Sequence, residues 1–586
     1  MTHILHILKQ LCLDGDLPFD KAGVVLFMKP GIRVATIGLT ASLAFAGSKV
    51  APDMPHSSAS GTADVIVQYK SFAGVRSVSG AGPWGRVHRY FRSIPATHMT
   101  VPLGMIQSLA SNPQVAYISP NRTASSLLDI TTQTVNANAL WSEGWEGTGV
   151  GVAVIDSGVA LKPDLAATDG SHSRVIFSES FVAGLDASDQ YGHGTHVAGI
   201  VAANGAQSTG PNFTRTFKGV APNANIVNLR VLDANGNGQE SDVIAAIDEA
   251  IALKDKYNIR VINLSLGTGV YESFQLDPLC QAVEAAWKAG ITVVTAAGNM
   301  GRDNSLGTMG YATINSPGND PYVITVGAMN AENTPWRSDD KIASYSSKGP
   351  TLLDHVVKPD LMAPGNNVVS LLASPNCTIA TQQPTTRVSL ATYEKGGRGL
   401  SADYFKLSGT SMATPVVSGA AALMLQEDPS LTPDEIKARM MKTATKNFAR
   451  YTTSTDMHHL NTFEAQQDIF AVGAGYLDIE AAIANRDPVN FQALSPVAQY
   501  NPQTQIVTLV SADALIWGSS SVNSSAIIWG DSTIWSNAII WGSAIVEGDN
   551  VVWGDNVVWG DNVVWGDNVV WGDNVVWGDV LYNGDK

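Results

Sequence analysis

The sequence predicts an α/β protein in which helices flank a parallel sheet, with a small α+β unit before it and a β-rich repeat tail after it. Three observations lead to this prediction. Short, nearly all-apolar segments alternate with amphipathic ones from about residue 140 to 485, which is typical of strands buried on both faces and joined by helical crossovers. A strand–helix–strand pattern precedes that region, and a strict six-residue period follows it.

Composition limits the class of protein. The 586 residues are too many for one hydrophobic core, and 45% hydrophobic with 15% charged residues is a globular balance. The net charge of −16, without a basic run, argues against nucleic acid as a partner. The three cysteines are Cys12, Cys280 and Cys377, and sequence positions do not decide whether the last two pair.

The start of the chain has the layout of a secretory signal peptide. Its parts are a positive start, an apolar stretch and a small-x-small cleavage box: Lys29 with Arg33, residues 34–43, and Ala44-Phe45-Ala46. The apolar stretch is too short to span a bilayer. We therefore expect a signal region at 1–46, with Met28 as an alternative start, and a protein secreted or held at the cell surface. A buried N-terminal helix is the competing interpretation.

The next two units are predicted from hydrophobic periodicity. Residues 62–122 contain a strand at 63–70, a helix within 101–112 and a strand at 115–121. In the main unit, 130–485, the predicted strands are 150–156, 224–232, 261–266, 291–298 and 322–328, and helices are expected over 241–257 and 277–290. In parallel sheets of this kind, functional groups gather at the carboxyl ends of the strands.

Three separated segments carry residues suited to nucleophilic catalysis. AVIDSG (153–158) ends a strand with Asp156, YGHGTHVAGIVAAN (191–204) begins a helix with His193, and LSGTSMATP (407–415) sets Ser411 at a helix N-terminus. A nucleophilic serine needs a nearby base, and that base needs a carboxylate that fixes its tautomer. Alone, Asp156 could cap a turn, Ser411 could cap its helix, and the His193-His196 spacing could suggest a metal. His196 is predicted to be structural.

A fourth segment, TAAGN (295–299), ends a strand with Asn299. The amide of Asn299 and the backbone N–H of Ser411 are predicted to stabilise a developing oxyanion, although Asn299 could instead serve only as a turn residue. Losing one such side-chain donor typically costs roughly 10²–10³ in kcat, a value measured in subtilisin.

The order Asp, His, Asn, Ser within DSG, HGTHVAG, AAGN and GTSMATP closely resembles the subtilisin family, and SYSSKGP (344–350) and KPDLMAPG (358–365) are also family-like. The resemblance covers about 140–485 and implies a subtilisin-like sheet and a serine endopeptidase acting on proteins or peptides. The resemblance also implies that catalysis needs no cofactor. By the same resemblance, a substrate-binding cleft is expected at Gly236, Asn237, Gly238, Ser265, Leu266, Gly267 and Gly310.

The resemblance carries further expectations. Residues 62–122, ending in QVAYISPNR, are similar to the inhibitory propeptide of the family, which implies an intramolecular inhibitor removed by a self-cut within 120–131. A generic ferredoxin-like domain is the alternative interpretation of this segment. Asp164 resembles a ligand of a structural calcium ion, although the segment after Gly205 departs from the family's calcium loop. Residues 372–406 look like an insertion ahead of the serine.

The end of the chain, after a linker predicted at 486–514, is a hexapeptide repeat at 515–582. Five copies of VVWGD(N) are marked by Trp553, Trp559, Trp565, Trp571 and Trp577, and the register extends back to Trp517. Such a period predicts a β-solenoid or stacked-strand array. The tryptophans are interpreted as packing ladders, with binding of a cell surface or matrix as the alternative.

Overall fold

The computed structural model describes residues 49–50, 54, 61–79, 84–91, 95–120, 128–305, 308–449, 451–456, 461–489, 491–501, 506–510, 575–576 and 584–585. The chain divides into two compact units, Met1–Thr123 and Ala124–Lys586. The predicted signal region, Cys12 and nearly all of the hexapeptide tail lie outside the described residues, as does most of the expected cleavage segment.

The first unit is built on a four-stranded sheet in the order β2-β3-β1-β4, with antiparallel pairings. Strand β1 alternates buried and exposed positions, so that Val65, Val67 and Tyr69 face the core. The elements are β1 (Thr62–Tyr69), α1 (Phe72–Ser79), β2 (Arg86–Tyr90), β3 (Ala96–Pro102), α2 (Ile106–Ala110) and β4 (Val115–Pro120). The sequence prediction found β1, α2 and β4 but missed α1, β2 and β3.

The second unit contains an eight-stranded mixed sheet. Its path is β12-β11-β10-β9-β5-β7-β6, and β13 also pairs with β11. All of these pairings are parallel except β11 with β12. The strands are β5 (Gly151–Asp156), β6 (Val175–Ser180), β7 (Asn225–Arg230), β9 (Ile259–Leu264), β10 (Thr292–Ala296), β11 (Ile324–Asn330), β12 (Lys341–Ile342) and β13 (Leu361–Pro364). The predicted parallel sheet flanked by helices is therefore confirmed.

The helices of this unit cover the sheet, and the two that carry predicted site residues, α5 and α10, are almost entirely buried. The helix predicted over 241–257 is divided at Leu253, so that α6 and α7 follow one another. The helices are α3 (Leu128–Thr134), α4 (Ala137–Trp141), α5 (His193–Ala202), α6 (Glu240–Ala252), α7 (Lys254–Tyr257), α8 (Pro278–Lys288), α9 (Thr378–Gln382), α10 (Thr410–Glu427), α11 (Pro433–Thr443), α12 (Ile469–Val472) and α13 (Ile479–Ala484).

Smaller sheets complete the unit. The predicted insertion at 372–406 provides β15 and most of β16, and β16 is the central strand that pairs with β14 on one side and β15 on the other. Within the predicted linker, Ser495 and Ala498 hydrogen-bond the backbone of Pro321 and His355. These strands are β8 (Asn237–Gly238), β14 (Val368–Leu371), β15 (Arg387–Ser389), β16 (Leu400–Leu407), β17 (Tyr451–Thr455), β18 (Thr462–Gln466), β19 (Val497–Asn501), β20 (Ile506–Val510) and β21 (Val575–Val576).

Cys280 and Cys377 are both buried and free. Among the described residues, no helix is long and apolar enough to cross a membrane.

A buried cluster of charged residues connects the segment just before β13 to α11. Asp360 accepts hydrogen bonds from Lys358 (2.7 Å) and Ser495 (2.5 Å), and the Lys437 ammonium lies 3.4 Å from its second carboxylate oxygen. Burial would raise the pKa of Asp360, but the two lysines lower it below its ordinary value. Burial lowers the pKa of Lys437 to about 7. The Asp360 carboxylate therefore stabilises the buried ammonium groups of Lys358 and Lys437.

Replacing Asp360 by Asn should lower the free energy of unfolding by about 3–5 kcal/mol, because it leaves Lys358 and Lys437 buried without the carboxylate that both contact. The measurement is urea unfolding in a Ser411→Ala background, which removes expected self-digestion. The control is Arg486→Gln, which breaks an exposed pair with Glu427 and should cost at most about 1 kcal/mol. Equal small losses in both variants would contradict this account.

Candidate active site

Asp156 and His193, predicted from separate motifs, lie in contact. The His193 Nδ1 atom is 2.8 Å from Asp156 Oδ1 and 3.0 Å from Oδ2, and both side chains are fully buried. Strand β5 ends at Asp156, and helix α5 begins at His193. Because a carboxylate only accepts hydrogen bonds, this contact places the proton of neutral His193 on Nδ1. The remaining nitrogen, Nε2, is then an acceptor.

The environment of His193 favours its protonated form. Burial would lower the pKa of the imidazole, but the carboxylates of Asp156 and Asp189 outweigh it and raise the pKa above its ordinary value. Within the part of the chain that the structure describes, Nε2 is buried and has no hydrogen-bond partner. An imidazole held at one nitrogen, with its other nitrogen unengaged, has the arrangement required of a general base.

Asp189 was missed by the sequence prediction, and it organises the start of α5. Its buried carboxylate accepts hydrogen bonds from the backbone N–H groups of Gly192 (2.6 Å) and Thr195 (2.9 Å), and from the Thr195 and Ser157 hydroxyls. Burial raises its pKa. These contacts satisfy donors at the helix N-terminus and hold His193 in place. An acidic residue just ahead of a predicted helix was the available signal.

Ser411 lies in the first turn of α10, whose residues from Thr410 to Leu425 are buried. Backbone N–H groups in a first helical turn have no acceptor within the helix, so the N–H of Ser411 is available as a donor. Helices α5 and α10 pack against each other. The carbonyl of Ser411 accepts a hydrogen bond from the Ser265 hydroxyl at 2.8 Å, which links the serine loop to the end of β9.

Asn299 is oriented by Thr410, another residue that sequence reasoning missed. The side-chain oxygen of Asn299 accepts hydrogen bonds from the Thr410 backbone N–H (2.9 Å) and hydroxyl (3.1 Å). This determines which end of the amide is Nδ2, since the oxygen is held at Thr410. A Cβ at Gly409 would lie 3.4 Å from that Nδ2, so the amide donor is beside the loop that carries Ser411.

His196 is one turn after His193 but has a different environment. Its Nε2 is 3.1 Å from the carbonyl of Val368, and its ring makes an edge contact with Phe405, with ring centroids 4.9 Å apart. Burial lowers its pKa to about 3, so the ring is neutral. Packing and a backbone hydrogen bond account for this side chain, as the structural interpretation predicts.

The predicted substrate-binding segment 236–238 forms a tight hairpin edge. Asp233 donates its N–H to the carbonyl of Asn237 at 2.7 Å, and Gly238 bridges to Leu232. Gly236 adopts a positive φ of +83°, and a Cβ there would meet the Tyr191 ring at 2.5 Å. Glycine is therefore required at 236 by both conformation and space.

The other predicted substrate-binding residues are mainly buried. Ser265 and Leu266 are at most 2% exposed, and a Cβ at Gly267 would approach the Asn315 Cβ to 3.0 Å. Because these side chains are buried, only the backbone of this segment could hydrogen-bond a substrate. At Gly310 a Cβ would lie 2.0 Å from the carbonyl oxygen of Gly301, so close backbone packing requires glycine at this position. The roles of these positions in substrate binding stay predictions.

Asp164, the predicted calcium ligand, is surrounded by protein donors. One carboxylate oxygen accepts the N–H of Gln207 at 2.7 Å and the other accepts the hydroxyl of Tyr404 at 2.6 Å. Burial raises its pKa to about 6. Across the described ranges there is no group of three or more His, Cys, Asp or Glu residues that could hold a metal. Both carboxylate oxygens of Asp164 are engaged by protein donors, and the calcium role of Asp164 stays a prediction.

An α/β domain with a buried Asp–His pair, and with a serine at the N-terminus of an adjoining helix, has the arrangement of a serine hydrolase. Comparison with known proteins specifies the class further. The model of the Subtilase family (Peptidase_S8) matches residues 147–463.

Two relatives, both of Bacillus subtilis, agree with this match. Serine protease AprX of Bacillus subtilis is 40% identical over 343 residues, covering 57% of this chain and 70% of that protein. Subtilisin E of the same species is 35% identical over 367 residues, covering 62% and 78%. The crystal structure of a cold adapted subtilisin-like serine proteinase matches with 32% identity and a TM-score of 0.36, over 52% of this chain and 84% of that one. The chain belongs to the subtilase family of serine endopeptidases.

Proposed function

We propose that Ser411 is the nucleophile of this endopeptidase, with His193 as general base and Asp156 as the carboxylate that orients it. The observation that carries this proposal is the buried hydrogen bond between His193 Nδ1 and Asp156, which leaves Nε2 as the acceptor. Asn299 and the Ser411 backbone N–H are the proposed oxyanion donors, and the Thr410 contacts that orient the Asn299 amide support this role.

The first half of the reaction transfers the acyl group. Nε2 of His193 takes the proton of the Ser411 hydroxyl as the serine oxygen bonds to the scissile carbonyl carbon. The carbonyl oxygen becomes an oxyanion that accepts hydrogen bonds from Asn299 and the Ser411 N–H. His193 then gives its proton to the leaving amine, the C–N bond breaks, and the acyl-enzyme remains.

The second half regenerates the enzyme. Water gives a proton to His193 and adds to the acyl carbon, and the same two donors hold the second oxyanion. The ester bond to Ser411 then breaks, and the serine recovers its proton from His193. Throughout, Asp156 stabilises the imidazolium while staying ionised. The buried position of the pair supports this role, because the interaction is stronger away from water.

Synthesis as a secreted, self-processed precursor belongs to the same proposal. Residues 1–46 would direct export, 62–122 would inhibit the enzyme, and a cut within 120–131 would release the mature chain, 130–485 being its catalytic domain. Substrates are extended peptides that pair with the backbone of 236–238 on one side and 265–267 on the other. The exposed Asn237 at the edge of its hairpin supports that arrangement.

The test is labelling with a fluorophosphonate probe, followed by mapping of the modified peptide. We expect one labelled residue, Ser411, and loss of labelling in His193→Ala, because the hydroxyl is then without its base. His172→Ala is the matched control, since His172 is exposed and should leave labelling unchanged. Absence of label on folded, processed wild-type protein, or label on a different serine, would overturn the assignment.

A further inference from the structure

Gly584 and Asp585, near the end of the chain, occupy a pocket in the second unit. Asp585 is fully buried. Its carboxylate accepts hydrogen bonds from the Arg302 guanidinium (2.8 Å), the Ser344 backbone N–H (2.7 Å) and the Ser344 hydroxyl (2.6 Å). Burying a carboxylate costs several kcal/mol unless a countercharge and donors accompany it, and this pocket supplies both. The pocket therefore has the chemistry of a site built for an aspartate side chain.

The backbone of the same segment is also bound. The Asp585 N–H donates to the side-chain oxygen of Asn366 at 2.9 Å, and its carbonyl accepts from the side-chain amides of Asn366 (2.9 Å) and Asn367 (3.1 Å). A Cβ at Gly584 would lie 1.8 Å from Asn366 Oδ1 and 2.4 Å from the Ser408 hydroxyl oxygen. The pocket thus accepts glycine at one position and aspartate at the next.

The position of the pocket connects it to the active site. Ser408 is three residues before Ser411, and Arg302 is three residues after Asn299. A second described piece of the tail, β21 (Val575–Val576), pairs in antiparallel fashion with β8 (Asn237–Gly238), with Val575 opposite Gly238 and Val576 opposite Asn237. That strand edge is the one predicted to bind substrate. The tail therefore contacts the catalytic unit at two places related to the reaction.

We propose that Arg302, Ser344, Asn366, Asn367 and Ser408 form a Gly-Asp-binding pocket whose resident ligand is the chain's own Gly584-Asp585, and that this anchoring lets the tail compete with peptide substrates for the edge of β8. The competition rests on the proposed function, whereas the pocket does not. An anchored segment acts at a high effective concentration, so weak pairing at β8 is enough to hinder substrate.

The first experiment measures the pocket alone, by fluorescence anisotropy of a labelled VLYNGDK peptide (residues 580–586). It uses the full chain with Ser411→Ala, so that the peptide is not cut. We expect binding when Asp585→Ala is also present, because the pocket is then vacated, and at least roughly tenfold weaker binding when the native tail is intact. A peptide with Asn for the Asp should bind about tenfold more weakly, since the bond to a charged acceptor is lost.

The second experiment measures the competition through hydrolysis of a short chromogenic peptide. Asp585→Ala should lower KM roughly threefold or more with kcat unchanged, as removal of a tethered competitor requires. Asp561→Ala, which removes an equal charge within the repeats, is the control and should not alter KM. Equal binding of the Asp and Asn peptides would overturn the pocket, and an unchanged KM in Asp585→Ala would overturn the competition. An enzyme inactive in every form, with peptide binding intact, would instead refute the proposed function.

Discussion

Ser411→Ala is expected to lower kcat by about 10⁶-fold, the size of effect measured for the serine of subtilisin, a relative of this chain. Without the hydroxyl no acyl-enzyme forms, and only binding and oxyanion stabilisation remain. The measurement is kcat for a chromogenic peptide. Ser430→Ala, at an exposed site where the serine hydrogen-bonds nearby Asp428, is the control and should retain full activity. Retention of more than about a hundredth of wild-type kcat in Ser411→Ala would contradict a nucleophilic role.

The same variant tests self-processing. If the precursor cuts itself, Ser411→Ala should accumulate with residues 62–122 still covalently attached, which gel mobility and N-terminal sequencing would show. Addition of active enzyme should then release the mature chain in trans. Normal maturation of purified Ser411→Ala in isolation would refute self-processing without affecting the assignment of the nucleophile.

Asp156→Asn is expected to lower kcat by about 10⁴-fold, as found for the equivalent change in chymotrypsin-type enzymes. The introduced amide can donate a hydrogen bond to Nδ1 of His193, which stabilises the tautomer with its proton on Nε2. In that tautomer Nε2 cannot accept the proton of Ser411. Asp248→Asn, on the exposed face of α6, is the control and should have no effect. A loss below about tenfold would mean that Asp156 does not set the tautomer of His193.

The pH profile carries a second, independent readout of Asp156. His193 has a raised pKa, so the neutral form needed for catalysis accumulates only above the ordinary histidine pKa of 6.5. In wild type, kcat/KM should therefore rise through a midpoint above 6.5. In Asp156→Asn the nearer of the two carboxylates is gone while burial and Asp189 remain, so the midpoint should move to lower pH. A midpoint that stays in place would show that another group governs the acid limb.

The raised pKa also has a consequence for stability. Protonated His193 interacts with Asp156 and Asp189 only in the folded protein, so this contribution is fully present below about pH 6.5. It is lost as pH rises through the higher folded pKa. The neutral form required for catalysis is therefore obtained at some expense of this local stabilisation.

The α/β class and the order of the site motifs can be predicted from the amino-acid sequence alone. Both depend on local information. The apolar runs of β5, β9 and β10 show that these strands are buried, and glycines around His193 and Ser411 mark sharp turns at helix starts. The carboxyl-end rule for parallel sheets then predicted that Asp156 would lie with residues distant in sequence. The structure places Asp156 in contact with His193.

Contacts between groups that are distant in the sequence become visible only in the folded chain. Asp164 is bound by Tyr404, which is 240 positions away, and Gly310 is required by the backbone of Gly301. Arg302 and Asp585 are separated by 283 positions and meet at the pocket. No sequence period or turn signal encodes such pairs. The Arg302–Asp585 pair is stable because the buried carboxylate lies beside its partner, and that requires the completed fold.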